Sequence, residues 1–569
     1  MKFIHGAALK LGVALALTLM VASVLPVDAA NPPPPPLSFN PIVNLSNNSG
    51  ASVIPVIASV GSHVYVAWQD STNGRSQVYF RESPDNGTTW SGTTVFTGTL
   101  DAAAVQIDAW GPNVYLVWKQ GQQTAFASSN NYGVSFNPTV VFSEPLGTIT
   151  EPSLATNGTA VYLAWQYHGS NNNSKMAMFT VSYDYGVSFA TPKCLGATTI
   201  SHGKPVTRCS SAPEIEMAAQ GDHVYVVWDS ILVAASANGG KTWAKPVAVD
   251  PGGRSREPMI AASGSYVYVS FPSNLGGSYQ AWVAISPDYG ATWTTKQVTS
   301  GFTSAREIQI ATCASSNDQI PCGTTPDVYV TFRGQAPGGG RVNQYLVTSY
   351  NNGATFGAPV DVSNQQKNEL GFGGVSVNGA DVFLVWPHAD KSTGLIQMYA
   401  AASNDSASTW LGNMTGNQAA QVSNSTVGVV GMGDSNTMHD QGPVSSASAG
   451  HIFVVWEDDS TGSGDVYFAA GAIAQKQPSS IQITAKDTTG FCTKHGATSF
   501  TVTVSNSTFT KTYGPMACGN TLTASLYPLT LGSDYTISHT VGNFQDIYDV
   551  VWEGTNTNVS FSNSNIVVS

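Results

Sequence analysis

A phrase of the form Ser-x-Asp/Asn-x-Gly-x-x-Trp/Phe returns along this chain at intervals of roughly fifty residues, and a repeat of that period is the signature of a radially built β-fold. The copies are Ser83/Asp85/Gly87/Trp90, Ser129/Asn131/Gly133/Phe136, Ser182/Asp184/Gly186/Phe189, Ser236/Asn238/Gly240/Trp243, Ser286/Asp288/Gly290/Trp293 and Ser349/Asn351/Gly353/Phe356. A seventh, Ser403/Asp405/Trp410, carries Ala407 in the glycine place. Each copy reads as a hairpin turn with an anchor. The Asp or Asn side chain accepts hydrogen bonds from N–H groups of the turn, glycine takes the positive φ that closes it, and the aromatic buries a large apolar area. Three copies carry Asn, an exchange that would disable a general acid or a metal ligand but spares a turn-closing acceptor. Asp85, Asn131, Asp184, Asn238, Asp288, Asn351 and Asp405 are therefore expected to be structural.

Between the turns lie strands rich in β-branched and aromatic residues, each ending in an aromatic. They are Val64-Tyr65-Val66-Ala67-Trp68, Val114-Tyr115-Leu116-Val117-Trp118 and Val161-Tyr162-Leu163-Ala164-Trp165, then 224–228, 267–271, 328–332, 382–386 and 452–456. The count favours an all-β propeller of eight blades over residues 38–475, with seven blades and one displaced unit as the alternative. The last unit lacks the turn phrase and an outer strand. Asn40-Pro41-Ile42-Val43-Asn44-Leu45-Ser46 resembles outer strands such as Ala358-Pro359-Val360-Asp361-Val362-Ser363, so it is expected to join the last blade and hide the edges of the sheet. From 479 to 569 the texture changes to Thr, Ser and Val with alternating apolar positions (Ile481, Ile483; Phe500, Val502, Val504), which reads as an immunoglobulin-like β-sandwich.

Residues 1–29 read as a secretory signal peptide. Lys2 and Lys10 precede an apolar run from about Leu11 to Leu25, and Val27-Asp28-Ala29 offers small residues for cleavage. Residues 30–37 contain Pro32 to Pro36, a stiff spacer. No later stretch is apolar and long enough to suggest a transmembrane segment, so the expected location is secreted or at the extracellular cell surface. The formal charge of −12 without a Lys/Arg stripe argues against a nucleic-acid partner. The 6 cysteines form sequence-local pairs, Cys194/Cys209, Cys313/Cys322 and Cys492/Cys518, which read as disulfides in an oxidising compartment. Their spacing does not fit a zinc site. Asn-x-Ser/Thr sequons, among them Asn44, Asn86, Asn157, Asn413 and Asn506, fit a glycoprotein.

Chemistry in a propeller gathers where the starts of the inner strands converge around the axis. Aligning those strands sets Ile54-Pro55-Val56 against Glu151-Pro152-Ser153, Glu214-Ile215-Glu216, Glu257-Pro258-Met259 and Glu307-Ile308-Gln309. Four consecutive blades thus carry Glu at one register, two of them after Arg256 and Arg306. Only 10% of the residues are charged, so this concentration is the strongest functional signal in the chain. Neighbouring carboxylates raise one another's pKa, and arginine grips a carboxylate or sugar hydroxyls in two-pronged fashion. The opposing reading is that these Glu side chains pair between blades for structural reasons. A second acidic group, Glu457-Asp458-Asp459-Ser460 with Asp465 and an echo at Asp70, is of the kind that holds Ca²⁺ and equally of the kind that forms solvated turns. No other cofactor or metal site is expected. Trp110 and Tyr167 are aromatic positions open to sugar stacking or to packing.

The repeated phrase resembles the Asp box, or BNR repeat, of sialidases and related propellers, where it lies away from the substrate pocket. The resemblance covers the chain up to its last ninety or so residues. Similar sialidases use three arginines for the substrate carboxylate, the first in an Arg-Ile-Pro phrase on the first inner strand. Here the phrase is Val53-Ile54-Pro55, while Arg256-Glu257-Pro258 and Arg306-Glu307-Ile308 stand at the equivalent register of later blades. Those sialidases have six blades, and their acid Asp and Tyr/Glu nucleophile pair have no identified counterparts in this sequence. Losing one arginine forfeits a charge-assisted bond of roughly 1.5–3 kcal/mol. The resemblance therefore implies a propeller that binds a glycan or a cell-surface protein through its axial face. The alternative is an exo-acting, sialidase-like glycoside hydrolase with two axial Glu residues as acid/base or nucleophile.

Overall fold

The computed structural model describes residues 37–473 except 144–146, 170–174, 202–203, 210–213, 229–230, 253–254, 314–326, 339–341, 364–372, 390–394, 409, 411–418, 427–444, 449 and 460–463; beyond 480 it describes the strands of a second unit. The chain divides into two compact units, Pro35–Ile473 and a second that contains Ala474–Ser569. Signal, spacer and the cysteines Cys322, Cys492 and Cys518 lie outside the described residues.

The first unit is an eight-bladed propeller. Its inner strands, in blade order, are Ser52–Val60, Ala102–Trp110, Gly147–Thr156, Glu216–Gln220, Met259–Ser263, Ser304–Thr312, Gly374–Asn378 and Ser445–Ser448. Each begins an antiparallel sheet, and in blades 1 to 7 the strands follow sequence order outwards from the axis. Every inner strand touches the next one around the ring, and Ser445–Ser448 touches Ser52–Val60 to complete it. Blade 8 takes its outer strands from the N-terminal end. Ser38–Phe39 pairs with Ala472 and Gly471, and Val43–Asn44 pairs with Phe468 and Tyr467, all on strand Asp465–Ala472. The expected closure is thus present, and it is held by side chains as well. Asp465 accepts hydrogen bonds from Asn44 Nδ2 (3.0 Å) and Ser46 Oγ (2.7 Å), while Leu45 is buried in the core between blades 8 and 1.

The second strands explain why the ring is tight. Their terminal aromatics Trp68, Trp118, Trp165, Trp228, Trp386 and Trp456 are fully buried, as are Tyr65, Tyr115, Tyr162, Tyr225, Tyr268 and Tyr329 near the other end. The core between blades 1 and 2 joins Val56, Tyr65 and Phe80 to Ile107, Leu116 and Trp118. Burying one such ring removes about 200 Å² from water and stabilises by about 5 kcal/mol before entropy is counted.

The first six repeated turns share one set of bonds. In the first, Ser83 Oγ donates to Asp85 Oδ1 (2.9 Å) and accepts the Gly87 N–H (2.8 Å), and Asp85 Oδ1 also accepts the Thr89 N–H (2.7 Å). The Asp/Asn interchange has a direct cause. Asp85, Asp184 and Asp288 accept the hydroxyl protons of Thr89, Ser188 and Thr292 at Oδ2. Asn131, Asn238 and Asn351 instead donate Nδ2–H to the hydroxyl oxygens of Ser135, Thr242 and Thr355. A hydroxyl serves either way. The seventh copy closes the same turn, with Ala407 at φ 64° and its N–H on Ser403 Oγ (2.9 Å).

The turns also bolt neighbouring blades together. Phe136, Phe189 and Trp243 stand edge-on against Phe80, Phe126 and Phe179 of the preceding blade at 5.0, 4.9 and 4.7 Å between ring centroids. A side chain on Gly133, Gly186 or Gly240 would overlap those same phenylalanines, so the glycine serves a close approach as well as a positive φ.

Between blades 3 and 4 in the sequence a hairpin, Gly196–Ser201 with Lys204–Cys209, forms a two-stranded sheet of its own. Cys194, at its base, and Cys313 are each disulfide-bonded. The second unit is also all-β. Ile481–Lys486 pairs with Thr521–Leu526, and a larger sheet runs Thr510–Ala517, Ser499–Ser505, Asp534–Val541, Asn565–Val568, Val559–Ser562, with Phe544–Asp546 on Asp534–Val541. Among the described residues no helix is long and apolar enough to cross a membrane.

Candidate functional site

The entrance to the inner strands is built on a bulge. Pairing between the inner and second strands slips between Val53 and Val56, Ala103 and Gln106, Thr150 and Ser153, and Arg306 and Gln309. In blades 1, 2, 4, 5 and 6 one residue there is left-handed: Ile54 (φ 54°), Ala104 (49°), Glu214 (57°), Glu257 (56°) and Glu307 (56°). Holding a side chain there costs about 1–2 kcal/mol per residue. Because Ile and Ala adopt the same conformation, the bulge does not demand Glu. The carboxylates must be explained by what they touch.

Glu214 Oε2 accepts the backbone N–H of Glu257 at 2.7 Å, which ties blade 4 to the left-handed residue of blade 5. Glu307 Oε1 meets Arg333 Nη1 at 2.9 Å, the one ion pair among the described residues, and Glu307 Oε2 is buried with no partner there. Burial pushes the Glu307 carboxyl above its usual range. Arg333 pulls it back, Glu257 pushes it further up, and Arg306 opposes. Glu151 holds the equivalent place on the blade 3 inner strand, but its side chain lies outside the described residues.

The two arginines converge on a tyrosine. Arg306 lies over the Tyr279 ring with its guanidinium carbon 3.8 Å from the centroid. Arg256 sits 5.8 Å from the same centroid and donates from Nη2 to the Tyr279 hydroxyl at 3.1 Å. This bond, with the Tyr279, Glu257 and Glu214 charges, raises the Arg256 pKa further. Tyr279 is itself tied across the blades, its carbonyl accepting the Ala305 N–H at 2.9 Å. Cation–π contact over a ring centroid is effective within about 6 Å, so one phenol holds two cations in fixed positions. Arg256 is exposed and Arg306 half-buried.

Glu214, Arg256, Glu257, Arg306 and Glu307 thus share one face of blades 4 to 6. Sequence reasoning missed Tyr279 and Arg333. Arg333 had a signal: it directly follows the aromatic that ends its second strand and pairs across from Arg306. Gln69 and Lys119 follow their tryptophans and pair with Val53 and Ala103 in the same way. Tyr279 had none, since it stands after a Gly276-Gly277 loop where no other blade has a tyrosine.

Glu457, the corresponding residue of blade 8, accepts the N–H of left-handed Ile54. Burial pushes its carboxyl up to about 7 despite that bond, and Asp459 adds to the rise. Its acidic neighbours are engaged with their own chain. Asp70 accepts from Asn48, Ser52, Trp68 Nε1 and Thr72, and Asp458 accepts from Ser425. Among the described residues no three His, Cys, Asp or Glu side chains are grouped to hold a metal ion. Trp110 and Tyr167 are half-buried, Tyr167 against the core between blades 2 and 3.

Seven Asp-box turns on a closed ring of eight antiparallel sheets define an Asp-box β-propeller. Residues 215–423 match the BNR repeat-like domain family. No curated protein sequence matches the chain. Among solved structures it is similar to the Trypanosoma rangeli sialidase in complex with the inhibitor DANA (11% identity, TM-score 0.32), covering 76% of this chain and only 58% of that one. It is also similar to the phage phi92 endosialidase (10% identity, TM-score 0.36, 92% of this chain and 81% of that chain). A third is YCF48 bound to D1 peptide (12% identity, TM-score 0.34, 78% and 100%).

Proposed function

We propose that this chain is an exported binding propeller that takes a glycan through the face of blades 4 to 6. Arg256 and Arg306 hold a carboxylate or adjacent hydroxyls, and Tyr279 fixes their spacing. The observation that carries this reading is the pair of guanidinium groups on one ring (3.8 and 5.8 Å), placed before any ligand arrives. A pre-positioned arginine loses less side-chain freedom on binding than a free one. Two of the four glutamates already serve the scaffold, Glu214 on the Glu257 N–H and Glu307 on Arg333, which shifts the weight from an acidic pocket to the arginines. Export rests on the N-terminal sequence, and the cysteine pairing proposed from spacing fits it. A glycan array probed with the wild type and with Arg256→Ala/Arg306→Ala tests the reading: signals common to both proteins would overturn it.

One observation favours a second reading, a glycoside hydrolase. Burial raises the Glu307 carboxyl in spite of the Arg333 pair, and Glu257 adds to the rise, the direction a general acid needs. A panel of fluorogenic glycosides, sialosides included, separates the two. Turnover that Glu307→Gln or Glu257→Gln abolishes would replace the binding module with an enzyme.

A further inference from the structure

The face opposite the bulges is formed by the Asp-box turns, and it carries a strain that the turns themselves do not need. The residue before the turn glycine is left-handed: Asn86 (φ 56°), Tyr132 (61°), Tyr185 (59°), Tyr289 (59°) and Asn352 (59°). Asn takes this conformation readily, whereas a bulky tyrosine does so at a cost. The tyrosines are nevertheless exposed, Tyr132 at 39%, Tyr185 at 44% with Tyr183 at 45% on the same turn, and Tyr289 of blade 5 at 45%, where it stacks on His223. On the same turns of blades 2 and 3 stand Val134 and Val187, at 71% and 66% the most exposed large apolar residues described. The other copies have Thr88, Lys241, Ala291, Ala354 and Ser408 at that valine place.

Two of the rings are also held still. His63 of blade 1 stacks on Tyr132 at 4.2 Å and 17°. The Tyr183 hydroxyl donates to the Gly239 carbonyl at 2.7 Å, and the Lys241 ammonium lies 5.2 Å over its ring. Each is thus backed by a neighbouring blade and open to solvent elsewhere. Acidic and basic side chains balance at the patch: Asp184 is bonded to Ser182 and Ser188 within its turn and Asp222 acts on Tyr183, while Lys193 is held by the Gly240 and Lys241 carbonyls and Lys241 faces Tyr183, so no net charge is offered to a ligand. Tyr132 combines strain, exposure and a fixed ring, Tyr185 strain and exposure, and Tyr183 exposure and a fixed ring. Strain kept at an exposed site points to contact, and rings ordered in advance lose little entropy when a ligand stacks on them.

We propose that the Asp-box face of blades 2 and 3 is a second binding surface, independent of the axial arginines, for a neutral polysaccharide. Tyr132, Tyr183 and Tyr185 stack on the apolar faces of its sugar rings, and the valines exclude water around them. Separate rings on successive turns suit a repeating polymer, whereas a folded protein partner is met by one continuous apolar area.

The test uses the full chain in pull-downs on insoluble cellulose, chitin and starch, with gel retardation in soluble xylan and mixed-linkage glucan. The variants are Arg256→Ala and the double Tyr132→Asn/Tyr185→Asn. Blades 1 and 6 already use Asn at that place, so the double variant keeps the turn and relieves its strain. Expected are retention of the wild type and Arg256→Ala on at least one polymer, and a drop of tenfold or more for the double variant with an unchanged or higher melting temperature. Absence of wild-type retention on every polymer would overturn the proposal, as would equal retention of the double variant. So would a lowered melting temperature with retention intact, since the tyrosines would then be blade fasteners alone.

Discussion

Trp90 of the first blade stands edge-on against Phe468 of the last, their ring centroids 4.8 Å apart at 76°. The Trp90 indole N–H is satisfied by the Gly87 carbonyl at 3.1 Å, so the ring is fixed while its edge meets Phe468. The contact that other turns make with a preceding blade here spans the two ends of the propeller. It supports the N-terminal strands in closing the ring.

Gly87→Ala should therefore destabilise more than an ordinary surface substitution. A Cβ would overlap the Phe468 ring, and φ is 82°. Left-handed strain and overpacking together cost about 2–4 kcal/mol. Trp90→Ala leaves the backbone at ease but opens the seam, at about 2–3 kcal/mol for a half-buried ring. Denaturant unfolding followed by tryptophan fluorescence measures both; a Gly87→Ala midpoint equal to that of the wild type would refute the seam.

The Asp-box bonds predict a graded series at Asp85. Asp85→Asn keeps the acceptor for the Thr89 N–H (2.7 Å) and exchanges hydroxyl acceptance for donation, as blades 2, 4 and 6 do. It should cost less than about 0.5 kcal/mol, whereas Asp85→Ala loses the turn's acceptor and should cost about 1–2 kcal/mol. Equal losses for both would mean that charge, not acceptor geometry, holds the turn.

The fold was legible because its devices are local and repeated. Seven turns display their bonding residues in the sequence, and the outer-strand likeness of Asn40–Ser46 needed only comparison with 358–363. The candidate site was legible as a register of residues but not in their partners. Glu214, Glu257 and Glu307 could be aligned by eye, yet only the folded ring brings Glu214 to the backbone N–H of the next blade. The residue that organises the arginines, Tyr279, sits on a loop that obeys no repeat. A contact made once, across two blades, leaves no period to read.

Tyr279 allows the two arginines to be separated. Tyr279→Phe removes the 3.1 Å bond to Arg256 and keeps the ring under Arg306; Tyr279→Ala removes both supports. If the arginines bind the ligand, Phe should weaken affinity about threefold to tenfold and Ala by more, since a charged hydrogen bond is worth about 1.5–3 kcal/mol and only its positioning share is lost. Calorimetric titration with the best array glycan measures this. Full affinity in Tyr279→Ala would show that the arginines need no such support.

Glu457 makes a prediction about pH whose sign is fixed by the direction of its shift. Its carboxyl is raised from 4.5 to about 7 in the fold, chiefly by burial, with Asp459 adding to the rise and the Ile54 N–H opposing it. Between those values the native state holds a proton that the unfolded chain has lost, so stability falls as pH rises. The contribution is whole below 4.5 and has gone above about 7; at 1.36 kcal/mol per unit it amounts to about 3 kcal/mol. Glu457→Gln keeps an oxygen for the Ile54 N–H and removes the titration. The variant should match the wild type near pH 4 and exceed it by about 2–3 kcal/mol at pH 8 in denaturant unfolding. Stability curves that run parallel from pH 4 to 8 would mean that Glu457 is solvated, and that water reaches the inner-strand entrance between blades 8 and 1.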